Sequence, residues 1–186
     1  MRVKNVHIGL FLNTGFKKSD ADTHGAGSKA KWTRIKMQDS LEISYDAQTT
    51  EEKFIDDMSA TTTTDSYNLS VEGELICSTS DAVFEYLDAM RKGRQVGEGA
   101  ESEVMLVYLY DGEYDAETKA GSAPAEVNGC SIQFSKFSAE GAGGNATLGY
   151  TINFSGDPRT GTATVTYNEE TQSGQATFST EKYAKA

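Results

Sequence analysis

Cysteine, proline, histidine and tryptophan are all scarce in this sequence: two Cys, two Pro, two His and one Trp in 186 residues. Two cysteines cannot build the disulfide framework of a small secreted domain. Cys77 and Cys130 each lie inside an apolar, strand-like run. We expect two buried free thiols in a chain made in a reducing cytoplasm; a bridge between them is the secreted alternative. His7 and His24 stand in no H-E-x-x-H or Cys/His spacing, and no G-x-S-x-G occurs. Neither a metal centre nor a nucleophilic triad is expected. No apolar stretch approaches the roughly 18 residues of a transmembrane helix. The start, MRVKNVHIGLFLN, has its apolar run broken by Asn5 and His7 and is followed by no A-x-A pattern, so no signal peptide is expected. Basic residues are outnumbered 17 to 28, a net charge of −11. That excludes a tightly held nucleic acid, because phosphate binding needs a basic face.

Thr and Ser are abundant, 37 residues together, and Gly adds 18. Such a mixture disfavours helices and suits strands joined by turns. The length is that of one domain with one core, and a split would leave both halves marginal. Charge is polarised along the chain. Residues 1–36 carry eight basic side chains against Asp20 and Asp22, whereas residues 38–75 carry ten acidic ones against Lys53. The two segments can face each other within one fold or meet on neighbouring copies.

Two stretches read as arms. Residues 15–31 are polar and Gly-rich and hold Lys17, Lys18, Lys29 and Lys31; residues 46–61 are acidic, with Asp56 and Asp57 beside one apolar pair, Phe54-Ile55. Both exceed an ordinary hairpin loop, and the second is read as an irregular excursion that contacts a neighbouring subunit. Between them, residues 32–37 and 40–45 alternate as strands, as do residues 67–77. One helix is expected over about residues 80–92, capped by Ser80 and stopped by Gly93. Its apolar face is Val83, Phe84, Leu87 and Met90, set to cover a sheet. Residues 103–110, EVMLVYLY, read as a central strand, and residues 111–128 as a loop holding Pro124. Four further strands complete the set, two of them joined by a turn at SGDPRTG, residues 155–161.

Candidate chemistry is thin. Asp111, Glu113 and Asp115 begin like a calcium loop, but Ala116 replaces the obligatory Gly and Ser122 the closing Glu. The Gly clusters at 97–99 and 141–144 precede no helix and lack the G-K-[ST] ending of a phosphate cradle. Paired carboxylates such as Glu169-Glu170 are solvated charge. No enzyme activity and no cofactor are expected.

The stretch from LEISYDAQTTEEKFIDDM through the Thr run to the helix and RKGRQVG resembles the central region of the major tail tube proteins of long-tailed bacteriophages. EVMLVYLYDG and YTINFSGDPRTGTATVT are similar to that family too, the latter as a strand–turn–strand hairpin; the resemblance spans about residues 32–168. It implies a mainly β, sandwich- or barrel-like tail tube domain with one flanking α-helix. Copies would join into hexameric rings that stack into a tube around the tape-measure protein, end on tail-end proteins, and pass the genome without specific binding. The chain would lie in the virion tail after assembly in the bacterial cytoplasm, away from any membrane. An acidic wall suits that conduit, since a basic one would trap DNA. Two alternatives are a tube or ring protein of a contractile injection or type VI secretion system, and a secreted β-sandwich binding module. The single Trp32 speaks against sugar binding by the last.

Overall fold

The computed structural model describes residues 8–16, 30–36, 42–53, 59–115, 117, 120–139, 144–168 and 173–184. Nine strands and one α-helix are formed: β1 (Ile8–Asn13), β2 (Trp32–Arg34), β3 (Glu42–Glu52), β4 (Thr61–Ile76), α1 (Ala82–Lys92), β5 (Glu101–Tyr108), β6 (Glu113–Asp115), β7 (Ala120–Ala139), β8 (Ala146–Asn168) and β9 (Ser173–Ser179). The protein is mainly β with one flanking helix, as the composition and the resemblance both imply.

All pairings are antiparallel. Six strands close on themselves in the circuit β1–β2–β9–β8–β7–β5 and back to β1. Alternation along each strand sends one set of side chains into this barrel. Phe11, Trp32, Met105 and Val107 fill it together with Ala123, Ala125, Ala163 and Ala176. Small residues on three of the six strands leave room for the large rings of the others.

β7 and β8 are long enough to leave the barrel and continue as a second sheet. Their far halves pair with each other from Gly129↔Ser155 to Ala139↔Ala146, and β4 and then β3 add to the β8 side. This four-stranded wing, β3–β4–β8–β7, buries one face. Val71, Leu75, Leu148, Ile152 and Ile132 meet Leu10, Leu12, Val104 and Leu106 from the opposite strands, and α1 closes the layer. The helix contributes Val83, Phe84, Leu87 and Met90, all buried. At roughly 1.5–3 kcal/mol for each large apolar side chain removed from water, those four hold it in place.

Four expectations are corrected. The helix is capped by Asp81, not Ser80: Val83 N–H donates to Asp81 Oδ1 at 3.0 Å, while the Ser80 hydroxyl lies 2.9 Å from that of Ser78. Residues 46–61 are not an irregular excursion; Asp46–Glu52 continues β3 and pairs with Thr61–Asn68 of β4. No apolar alternation marks this ribbon, because neither face is buried, yet its Thr-rich backbone forms the ladder. Residues 111–128 are not a loop throughout, since β7 already begins at Ala120. Pro124 sits one position beyond the end of the β5 ladder, where a sheet tolerates proline. SGDPRTG joins no hairpin: β8 runs through it, and residues 156–158 bulge between the Ser155↔Gly129 and Arg159↔Val127 pairs, with Gly156 at φ 70°.

Candidate assembly surface

The wing is one-sided. Opposite the helix, alternation exposes Ser70, Glu72 and Glu74 of β4, Thr147, Thr151 and Asn153 of β8, and Ser131, Gln133 and Ser135 of β7. Glu42 and Ser44 of β3 extend the same groove. No apolar side chain interrupts this face. Its carboxylates outnumber its one cation, Lys136, whose Nζ lies 2.7 Å from Glu74 Oε2. Hydrogen bonds from Lys136 and Thr147 hold the Glu74 carboxyl below its usual range.

Both edges of the wing are open. β3 pairs only with β4 along its whole length. β7 is covered by β5 only as far as Ser131, so residues 133–139 present a second free edge. Beyond Leu69, β4 loses contact with β8, and the β3–β4 ribbon runs on as two strands exposed on both faces. A lone two-stranded ribbon is marginal in water. Here Thr50 donates from its hydroxyl to Asp65, and the Tyr45 and Tyr67 rings meet edge-to-face with centroids 6.4 Å apart.

The helix ends beside the β7 edge. The Arg91 guanidinium lies 4.1 Å over the Phe137 ring. Asp88 accepts from Arg91 Nη2 and lies against Lys92 Nζ, each at 2.6 Å. Hydrogen bonds from Lys92, then Arg91, lower the Asp88 pKa. These cations also suit the negative end of the helix dipole.

A buried polar cluster stiffens the junction of barrel and wing. Arg159 Nη2 donates to Glu103 Oε1 at 2.6 Å, and Asn13 Nδ2 donates to Glu103 Oε2 at 3.0 Å. Glu103 is 3% exposed. Asn13 Oδ1 in turn accepts the backbone N–H groups of Gly15 and Lys31, which draws the two ends of the basic arm together.

Of the residues singled out from sequence, Lys31 is exposed at the foot of that arm. Lys17, Lys18, Lys29, Phe54, Ile55, Asp56 and Asp57 lie outside the described residues, as do His7 and His24. Cys77 and Cys130 are both free thiols. Cys130 is buried, whereas Cys77 is half-buried just past the end of β4. Sequence reasoning missed Tyr45, Tyr67 and Phe137 as edge aromatics and Glu103 as a buried anchor. Strand alternation places Tyr45 and Tyr67 on the core face, but it does not say that the sheet beneath them ends.

No known family matches the sequence, and no characterised protein matches it either. Solved structures do. The tail of an empty GTA particle, obtained by helical refinement with C6 symmetry, matches with a TM-score of 0.56 and 10% identity over 84% of this chain and 97% of that one. The sheath/tube terminator of the extracellular contractile injection system PVC, in its extended state, matches with a TM-score of 0.50 and 5% identity over 86% and 96%. The chain therefore has the fold of phage-like tail and tube components, the fold that its resemblance to tail tube proteins implies.

Proposed function

We propose that this chain is a structural tail tube subunit of a long-tailed bacteriophage, not an enzyme. Its copies assemble side by side into six-membered rings, and the rings stack into the tube through which the genome leaves. The observation that carries this reading is the wing: four strands, one face sealed by α1, the other wholly polar and acidic, and both edges open. Such a sheet is incomplete alone, because open edges in stable monomers are normally blunted or covered. Joined edge to edge around an axis, copies would form a closed wall with the Ser/Thr- and Glu-rich face lining the bore. That face offers DNA little to hold, and at physiological salt its charge acts within about 8 Å. The polarised charge of the chain suits stacking of successive rings, a head-to-tail contact that grows without closing. Assembly in the bacterial cytoplasm around a tape-measure protein, ending on tail-end proteins, belongs to the same proposal.

The match to a sheath/tube terminator favours a second reading, a tube component of a contractile injection system. Negative-stain microscopy of the purified chain at high concentration, with and without tail-initiating proteins, should show rings or tubes. Monomers alone under every condition would refute both readings. Co-purification with a sheath protein from the native particle would select the second.

A further inference from the structure

Three half-exposed aromatic side chains lie at the two open edges of the wing. Tyr45 and Tyr67, each 57% exposed, stand at the β3 edge, and Phe137, 50% exposed, stands at the β7 edge. All three are on the helix side. Tyr45 and Tyr67 follow Ile43 and Val71 by alternation, and Phe137 extends the cross-strand row Leu75–Leu148. An aromatic ring half out of water at each end of one sealed apolar layer marks where that layer is interrupted.

We propose that the two edges join between copies. β3 of one chain pairs with residues 133–139 of β7 in a second copy, and Tyr45 and Tyr67 cover that copy's Phe137 and the basic end of its α1. This inference rests on the ring reading above and names the seam of the ring.

Strand direction permits it. Three successive antiparallel pairings make β7 antiparallel to β3, so a rotated copy continues the alternation without a break. Register selects the residues. Because β5 occupies β7 up to Ser131, only the far end of β7 is free to receive a strand. The partner of Tyr45 is Leu69, and the row of Phe137 passes through Leu75. Seating Tyr45 opposite Phe137 therefore staggers the copies by the six residues between them, about 20 Å along strands whose four-strand width is about 19 Å. The implied tilt is about 45°, which closed barrels adopt. Charge agrees as well. The ribbon carries Asp46, Glu51, Glu52 and Asp65 and no basic side chain before Lys53, while Arg91, Lys92 and Arg94 leave the other side of the seam positive even after Asp88 is counted.

The test uses two full-chain variants. Tyr45→Ser with Tyr67→Ser blunts the β3 edge, and Phe137→Ser with Arg91→Glu blunts the β7 edge. Each alone should raise the concentration needed for ring formation at least tenfold in sedimentation velocity. Mixed one to one they should give dimers that stop there, because each retains one intact edge. If both variants form rings as the unaltered chain does, the seam is wrong and the ring reading stands. If the unaltered chain forms no ring, both fall. Should either variant misfold, Tyr45→Cys with Phe137→Cys in one chain gives an independent readout. The two thiols stand on opposite edges of the wing, too far apart to bridge within a copy. Oxidation of assembled protein should give a ladder of linked chains, and its absence overturns the seam.

Discussion

Cys130 sits in β7 at 1% exposure, and burial pushes its thiol up to about 12. Burial also raises Cys77, with the Asp88 charge adding to it. Thiolate is the reactive form, so both are poor nucleophiles near neutrality. Maleimide should label native protein slowly at Cys77 and leave Cys130 unmodified until denaturant is added; rapid labelling of both would contradict this burial. Glu103 poses a different problem. Its carboxylate is deep in the fold, and a buried charge is tolerable only while its partners remain. Arg159→Met should cost on the order of 3 kcal/mol in urea unfolding. Adding Glu103→Gln should recover part of that, since the amide keeps the side chain's shape and sheds its charge. Equal loss in the single and double variants would show that the ion pair itself contributes nothing.

Among the elements, α1 was the most legible from sequence. Its four apolar residues at helical spacing are the four it buries, and Gly93 follows its last turn. Only the cap moved, by one residue, because Ser80 and Asp81 are both good caps and the choice lies in geometry. Asp81→Ala should cost about 1 kcal/mol, as loss of an N-cap does. Ser80→Ala should cost well under half of that; the reverse order would restore the sequence-based cap. The strand β5 was legible for the same reason, since its residues are buried on both faces. Illegible were the elements whose periodicity burial does not shape. β3 beyond Tyr45 has water on both sides, and β8 bulges at Gly156 where the dipeptide Asp157-Pro158 spells a turn. The ribbon's tip contains Phe54 and Ile55. Replacing both by Ser should leave the melting temperature of the monomer within a few degrees, yet prevent polymerisation. Normal tubes from that variant would reduce the tip to a surface loop.

At the scale of the whole molecule the apolar layers are complete within the barrel and incomplete in the wing. The barrel was not legible in the sequence, because its closure depends on the pairing of β2 with β9, Trp32 with Ala176. No local pattern announces a contact between residues so far apart. The candidate surface was legible only as charge: an acidic segment and a basic one, without the edges that would bring them together. Asp56→Lys with Asp57→Lys should therefore slow assembly at low salt and lose most of its effect by about 1 M, where screening shrinks to about 3 Å. An effect independent of salt would place those side chains in a dry contact.

The β2–β9 pairing also sets a clock. A growing chain emits β2 early, yet that strand cannot find its barrel partner until Gln175 and Ala176 have been synthesised. At 5–20 residues per second the interval is on the order of ten seconds. Throughout it the rings of Phe11 and Trp32 lack part of the barrel that finally encloses them. A nascent wing offers its open edges during that same interval, before its own barrel exists to fix their direction. Cells making this protein in quantity on one messenger therefore face a race between barrel closure and premature strand exchange among neighbouring ribosomes. Slowing translation after β8 should tilt that race towards insoluble product, and a chaperone that holds β1 and β2 should tilt it back.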